Sequence, residues 1–126
     1  MYIAVLIIPV REEKMAAYRE WARKSATIFS KYGCMEVVDA WEDFVPNGAQ
    51  TDFFRAVAAK EGEKIVVSWQ IWPVRESFFA SEAKMHQDNA LEVDGQIPFD
   101  ASRLVFGCFK PIHAIDRDTF EIGRSE

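Results

Sequence analysis

Little in this chain points to covalent chemistry or to a bound metal. Two cysteines, Cys34 and Cys108, and two histidines, His86 and His113, are the whole stock of thiol and imidazole in 126 residues. A secreted disulfide scaffold uses far more cysteine, and the CxxC spacing of a zinc site is absent. The cysteines read as two reduced, mostly buried thiols, with no metal and no cofactor implied. Basic residues are also in short supply. Fifteen Lys and Arg stand against twenty Asp and Glu, a formal net charge of −5, and they are scattered rather than gathered into a stripe. Phosphate contacts supply most of the affinity of a nucleic-acid binder, so no nucleic acid is expected as a partner. Long apolar runs are missing too. The longest, Ile3 to Val10, is too short to span a bilayer and lacks the preceding basic residues of a signal peptide. The expectation is a cytoplasmic protein with no membrane partner. No segment is rich in Pro, Gly or Ser and no repeat occurs, which leaves one domain over residues 1–116 and a non-periodic, mobile tail over 117–126.

Aromatic bulk is what the chain has in excess. Ten Phe and four Trp are more than one small core needs, and the surplus points to an interface or a ligand cavity.

The strongest strand signature is Ile65 to Trp72, rich in β-branched and aromatic residues, free of charge and closed by Pro73. Its faces differ. Ile65, Val67, Trp69 and Ile71 are apolar throughout, whereas Val66, Ser68, Gln70 and Trp72 include two hydrogen-bonding groups. The apolar face is expected under the helices, with Trp69 in the core. Val66 and Trp72 are expected on the opposite face, with Trp72 as an interface or cavity wall. Tyr2 to Val10 is nearly all apolar and reads as a second central strand, stopped by Pro9. From Arg11 to Tyr32 the period becomes helical, with Met15, Tyr18, Ala22, Ser25 and Phe29 on one stripe and Gly33 ending it in the left-handed region.

Cys34 to Phe44 alternates loosely and carries carboxylates on both faces, as an exposed strand near a sheet edge does. Val45 to Asp52 is turn chemistry, and Phe53 to Ala59 is ambiguous, with extension of the sheet one option before a turn at Glu61–Gly62. Arg75 to Val93 reads as a helix with Ser77 as cap, a stripe of Phe79, Ala83, His86, Ala90 and Val93, and a stop at Asp94–Gly95. Ile97 to Asp100 forms a turn, and Arg103 to Ile112 is the last strand.

The resulting order, β-α-β-β-α-β, predicts an α+β fold: a ferredoxin-like antiparallel sheet with the first and third strands central and both helices on one face. The uncovered face then needs a cover. A second copy packed sheet to sheet, giving a homodimer in the form of a dimeric α/β barrel, supplies it.

Four stretches in order carry a family resemblance: AYREWARK at Ala17 to Lys24, VPNGAQTDF at Val45 to Phe53, VSWQIWP at Val67 to Pro73, and IPFDASRLVFGCF at Ile97 to Phe109. Together they resemble the YbaA-like family of bacterial proteins, domain of unknown function 1428. The resemblance covers Tyr2 to about Ile115 and implies a ferredoxin-like, dimeric α/β-barrel fold, with no activity attached. The family tends to carry Gly-Gly where this chain has Gly107 and Cys108, and Asp-Pro where Asp88 and Asn89 stand. His86 falls where family members commonly have Met. These departures speak against a family-wide catalytic role for Cys108 or His86.

The candidate ligand-binding residues are Asp39, Trp41, Arg55, Trp72 and His86. Asp39 lies between Val37 and Trp41, and a pairing with Arg55 would orient a small polar ligand through charge-assisted hydrogen bonds. His86 is, by residue type, a conceivable general base or haem ligand, but it has no partner at ligand spacing. Asp100 and Arg103 read as an ion pair bracing a turn. A cavity would need space among Trp21, Phe79 and Trp69. Three functions follow. The first is a non-catalytic homodimer that binds a small molecule or regulates. The second, by analogy of fold alone, is a cofactor-independent monooxygenase-like enzyme acting on a small aromatic substrate. The third is an RNA-binding protein, which the acidic balance disfavours. Whether the chain is an enzyme stays open at this level.

Overall fold

In a computed structural model of the chain, residues 1–88 and 97–115 are described. Four strands, β1 (Tyr2–Arg11), β2 (Glu36–Trp41), β3 (Glu63–Trp72) and β4 (Val105–Phe109), form one sheet in the order β2-β3-β1-β4. Every neighbouring pair is antiparallel. The two most apolar strands are therefore the central ones, and the loosely alternating, carboxylate-bearing β2 is an edge. Helices α1 (Met15–Lys31) and α3 (Arg75–Gln87) connect them, with a single helical turn, α2 (Phe53–Ala56), in the loop after β2.

Register decides which face is which. Tyr2 stands opposite Trp72, Ala4 opposite Gln70, Leu6 opposite Ser68 and Ile8 opposite Val66. These side chains share one face, and α1 and α3 lie on it. Phe78 and Met85 of α3 pack with Tyr2, Ala4 and Trp72, while Tyr18 and Ala22 of α1 pack with Ile8, Val10 and Val66. Trp72 has no exposed surface, and its ring meets Phe78 edge-on at 5.6 Å between centroids. The sequence expectation for β3 is thus reversed: Trp72 and Val66 are in the helix-covered core, and Trp69, with Val67, is on the other face.

The reason is hydrogen bonding. Alternation says only that two faces differ, and polar groups normally mark the wet one. Here the polar groups on the covered face are few, and the largest of them is tied inside the core. Gln70 Oε1 accepts the Trp72 indole N–H at 2.9 Å, and no buried side-chain polar atom of the described residues lacks a partner.

Other boundaries move for local reasons. Pro9 does not stop β1. Ile65, its register partner, sends both backbone groups to Glu42 on the far side, so the missing Pro9 N–H falls at a position where β3 asks for none. The pairing of β1 with β4 has already ended at Ile7 opposite Val105. Residues 12–14 form a 3₁₀ turn, and α1 starts at Met15 rather than Arg11. Its end is as expected. Gly33 at φ +103° lets the Cys34 N–H return to the Phe29 carbonyl at 3.0 Å.

Phe53 to Ala56 is helical rather than strand because the Asp52 carboxylate caps it, accepting the Arg55 N–H at 2.9 Å. In α3 the buried stripe is Phe78 and Met85, whereas Phe79 is 43% exposed and His86 is at the surface. Ser77 sits at the third helical position and exchanges hydrogen bonds with the backbone of Val74, so the cap is one turn earlier than the sequence indicates. The last strand is shorter than Arg103 to Ile112, because residues 101–103 form a 3₁₀ turn capped by Asp100. The continuation of the α3 stripe through Ala90 and Val93, its stop at Asp94–Gly95 and the tail over 117–126 lie outside the described residues.

The face away from the helices carries Ile3, Val5 and Ile7 from β1, Val38 from β2, Val67 and Trp69 from β3, and Val105 and Phe109 from β4. All keep part of their surface accessible, Phe109 as much as 57%. Among the described residues no helix covers it. At about 4.8 Å between four strands and about 3.3 Å per residue, the apolar area is roughly 300 Å².

Candidate functional site

Where α1 leaves the edge strand β2 partly uncovered, a cleft of about 310 Å³ opens. Its floor is Val66 and Ala22, its walls are Met15 and Trp41, and Asp39 reaches into it from β2. The helical period of α1 sets Tyr18 and Ala22 on the buried side and leaves Arg19 and Arg23 at the mouth. Tyr18 donates its hydroxyl proton to Asp39 Oδ1 at 2.8 Å. Burial, then the negative charge of Asp39 and the hydrogen bond to it, raise the Tyr18 phenol well above its ordinary value. The phenol therefore stays protonated and acts as a donor that aims the carboxylate. Asp39 Oδ2 has no hydrogen-bond partner among the described residues. The two arginines differ. Arg23 is paired with Glu20 at 2.6 Å, whereas Arg19 has only the Met15 sulfur, at 3.9 Å, and no carboxylate within 4 Å among the described residues. The cleft thus combines an apolar interior, one oriented carboxylate with an unused oxygen, an indole and an unpaired guanidinium.

Of the five residues singled out from the sequence, the fold brings Asp39 and Trp41 together here. The other three lie elsewhere. Arg55 does not pair with Asp39. Its Nη2 donates to the Gly48 carbonyl at 2.6 Å and lies 3.4 Å from Asp52, whose carboxylate also accepts the Gly48 N–H at 3.1 Å. The turn residues of VPNGAQTDF therefore build a self-tied loop, and Arg55 is spent inside it. Trp72 is core, and His86 is exposed on α3. The imagined cavity among Trp21, Phe79 and Trp69 does not form. Trp21 stacks edge-on against Phe99 at 5.0 Å, Phe79 packs on Tyr2 and under the Arg75 guanidinium, and Trp69 is across the sheet with its indole N–H on Glu36. Tyr18, Met15 and Arg19 were missed as site residues. Tyr18 reads as core from its stripe, and only the sheet register brings Asp39 beneath it.

The cysteines are both free. Cys34 is buried, and that burial raises its thiol above the ordinary value. The Asp100–Arg103 pair is present at 3.0 Å and extends to Glu63. Among the described residues no cluster of His, Cys, Asp and Glu is arranged to hold a metal, and no helix is long and apolar enough to cross a membrane.

These features define a small α+β protein with two long helices on one face of a four-stranded antiparallel sheet and a mixed polar–apolar cleft at the sheet edge. The chain belongs to the family described as "Protein of unknown function (DUF1428)", whose model matches residues 1–101. It is 38% identical over 112 residues to the uncharacterized protein YbaA of Escherichia coli K12, covering 88% of this chain and 96% of that relative. YbaA of Escherichia coli O157:H7 and of Shigella flexneri match to the same extent.

Proposed function

We propose that the protein is a non-catalytic small-molecule-binding protein that works as a homodimer, each protomer ferredoxin-like and the pair a dimeric α/β barrel. One observation carries the binding function: the carboxylate of Asp39 is aimed by Tyr18 into an apolar cleft with one oxygen unused. Asp39 is at the surface end of the cleft, so its free oxygen is hydrated, and a ligand donor that replaces that water against the apolar lining gains a charge-assisted hydrogen bond. Among the described residues the cleft is lined by no imidazole and no thiol, and the Tyr18 phenol is held protonated, which favours recognition over conversion.

Pairing is supported by the bare sheet face. Eight apolar side chains from four strands, with Glu36 at one edge tied to the Trp69 indole, form a contiguous patch of the size that marks an interaction surface. The sheet face supplies roughly 300 Å², under half of the roughly 800 Å² per partner of a standard interface, and flanking segments at residues 42–45 and 111–114 extend it. The order β2-β3-β1-β4 supports the ferredoxin-like reading. Sedimentation velocity on the full chain tests the assembly. A dimer is expected, and Phe109→Glu, at a half-exposed edge position that tolerates the change, is expected to give a folded monomer. A wild-type monomer at tens of micromolar would refute it, as would a Phe109→Glu dimer.

A further inference from the structure

The cleft holds two unlike charged groups that do not meet. Asp39 and Arg19 both line it, yet no pair forms between them within 4 Å, and each has unspent hydrogen-bonding capacity. Opposite charges facing one small apolar space would ordinarily close on each other unless their side chains are held apart. Asp39 is held by the Tyr18 hydroxyl, and Arg19 leaves from the outer side of α1. Trp41, Met15 and Val66 line the same cleft and offer a flat ring an apolar bed and one aromatic face.

Resting on the small-molecule-binding reading, we infer that the ligand is an aromatic carboxylate bearing a hydrogen-bond donor at its far end. The ring lies against Trp41, the carboxylate takes the Arg19 guanidinium in the bidentate geometry that guanidinium favours, and the donor fills Asp39 Oδ2. A ligand cation alone faces Arg19 and Arg23 at the mouth. A ligand anion alone faces Asp39 inside. Only a molecule carrying both ends satisfies the whole lining. A hydroxyl and an ammonium are equally good donors to Asp39, and the probes separate the two.

The test is isothermal titration of the full-length protein with 4-hydroxyphenylacetate and 4-(aminomethyl)benzoate as two-ended probes. Phenylacetate lacks the donor and tyramine lacks the anion. At least one two-ended probe is expected to bind about ten- to a hundredfold more tightly than both one-ended compounds, the worth of one charge-assisted hydrogen bond. Asp39→Asn is expected to erase the advantage over phenylacetate, and Arg19→Gln the advantage over tyramine. Both positions are exposed, and the asparagine amide oxygen can still accept the Tyr18 hydroxyl. Equal binding of phenylacetate or tyramine, still abolished by Trp41→Ala, would overturn the two-ended ligand while leaving the cleft a binding site. Binding of no probe, or binding indifferent to Trp41→Ala, would overturn both.

Discussion

Arg103 is the residue whose removal the structure prices most clearly. Its guanidinium donates from Nε to Asp100 at 3.0 Å, from Nη1 to the Ala58 carbonyl at 3.0 Å and to Glu63 Oε1 at 2.8 Å, and from Nη2 to Glu63 Oε2 at 2.6 Å. The Glu63 side chain is 6% exposed and that of Arg103 is 16% exposed. Three segments meet at this one group: the stretch before β3, through Ala58 held at φ +49° in the left-handed region, the start of β3 itself, and the 3₁₀ turn before β4. Arg103→Met keeps most of the stem packing but strands Glu63 as a shielded carboxylate without its cation. Breaking a buried pair from one side costs about 3–5 kcal/mol, and the residual exposure of Arg103 points to the lower end, about 3 kcal/mol. For a domain of this size that is a fall in Tm of about 10 °C.

The pH dependence of stability gives the same argument a second reading. Hydrogen bonds from Arg103 hold the Glu63 carboxyl below its ordinary value, and Ser102 followed by Arg103 lowers Asp100 to about 2. Both are depressed carboxylates, so their contribution is complete above the unfolded values of about 4.3 and 3.9 and is lost as pH falls through the folded ones. Thermal melts by circular dichroism from pH 7 to pH 2 are expected to show wild-type Tm falling below about pH 4.5. In Arg103→Met that fall is expected to be shallower from a lower plateau. Adding Glu63→Leu to Arg103→Met is expected to recover most of the loss, because no charge is then left unpaired. An Arg103→Met protein within 2 °C of wild type at pH 7, or one with an unchanged acid slope, would refute the reasoning.

Two further outcomes follow from the packing. Compared in the monomeric Phe109→Glu background, Trp72→Phe is expected to lose about 2–3 kcal/mol in urea denaturation, because it orphans Gln70 Oε1 and leaves a void beside Phe78, whereas Trp69→Phe on the face away from the helices costs well under half of that. Equal costs would contradict the face assignment. At Gly48 an added Cβ would overlap the Thr51 carbonyl oxygen, so Gly48→Ala is expected to open the Arg55–Gly48–Asp52 loop and to speed tryptic cleavage after Arg55. Unchanged digestion would show that the loop accommodates a side chain.

Much of the scaffold was legible before any coordinates. Period-two and helical patterns located all four strands and both long helices, because each long element buries one side, and Gly33 marked a helix end that requires positive φ. The carboxylates of Cys34–Phe44 marked an edge, and Asp100 with Arg103 marked a braced turn, since both signals act over a few residues. Sequence alone could not decide which side of β3 faces the helices. Two buried polar side chains, Ser68 and Gln70, made the covered face look wet, and the fully apolar face proved to be the one the helices leave uncovered, with Val67 and Trp69 partly exposed on it. Nor could it join Tyr18 to Asp39, twenty-one residues apart on different elements, or separate Asp39 from Arg55. Local propensity and pattern are written into the chain. The partner of a polar side chain is a matter of register and helix placement, which only the assembled tertiary structure determines.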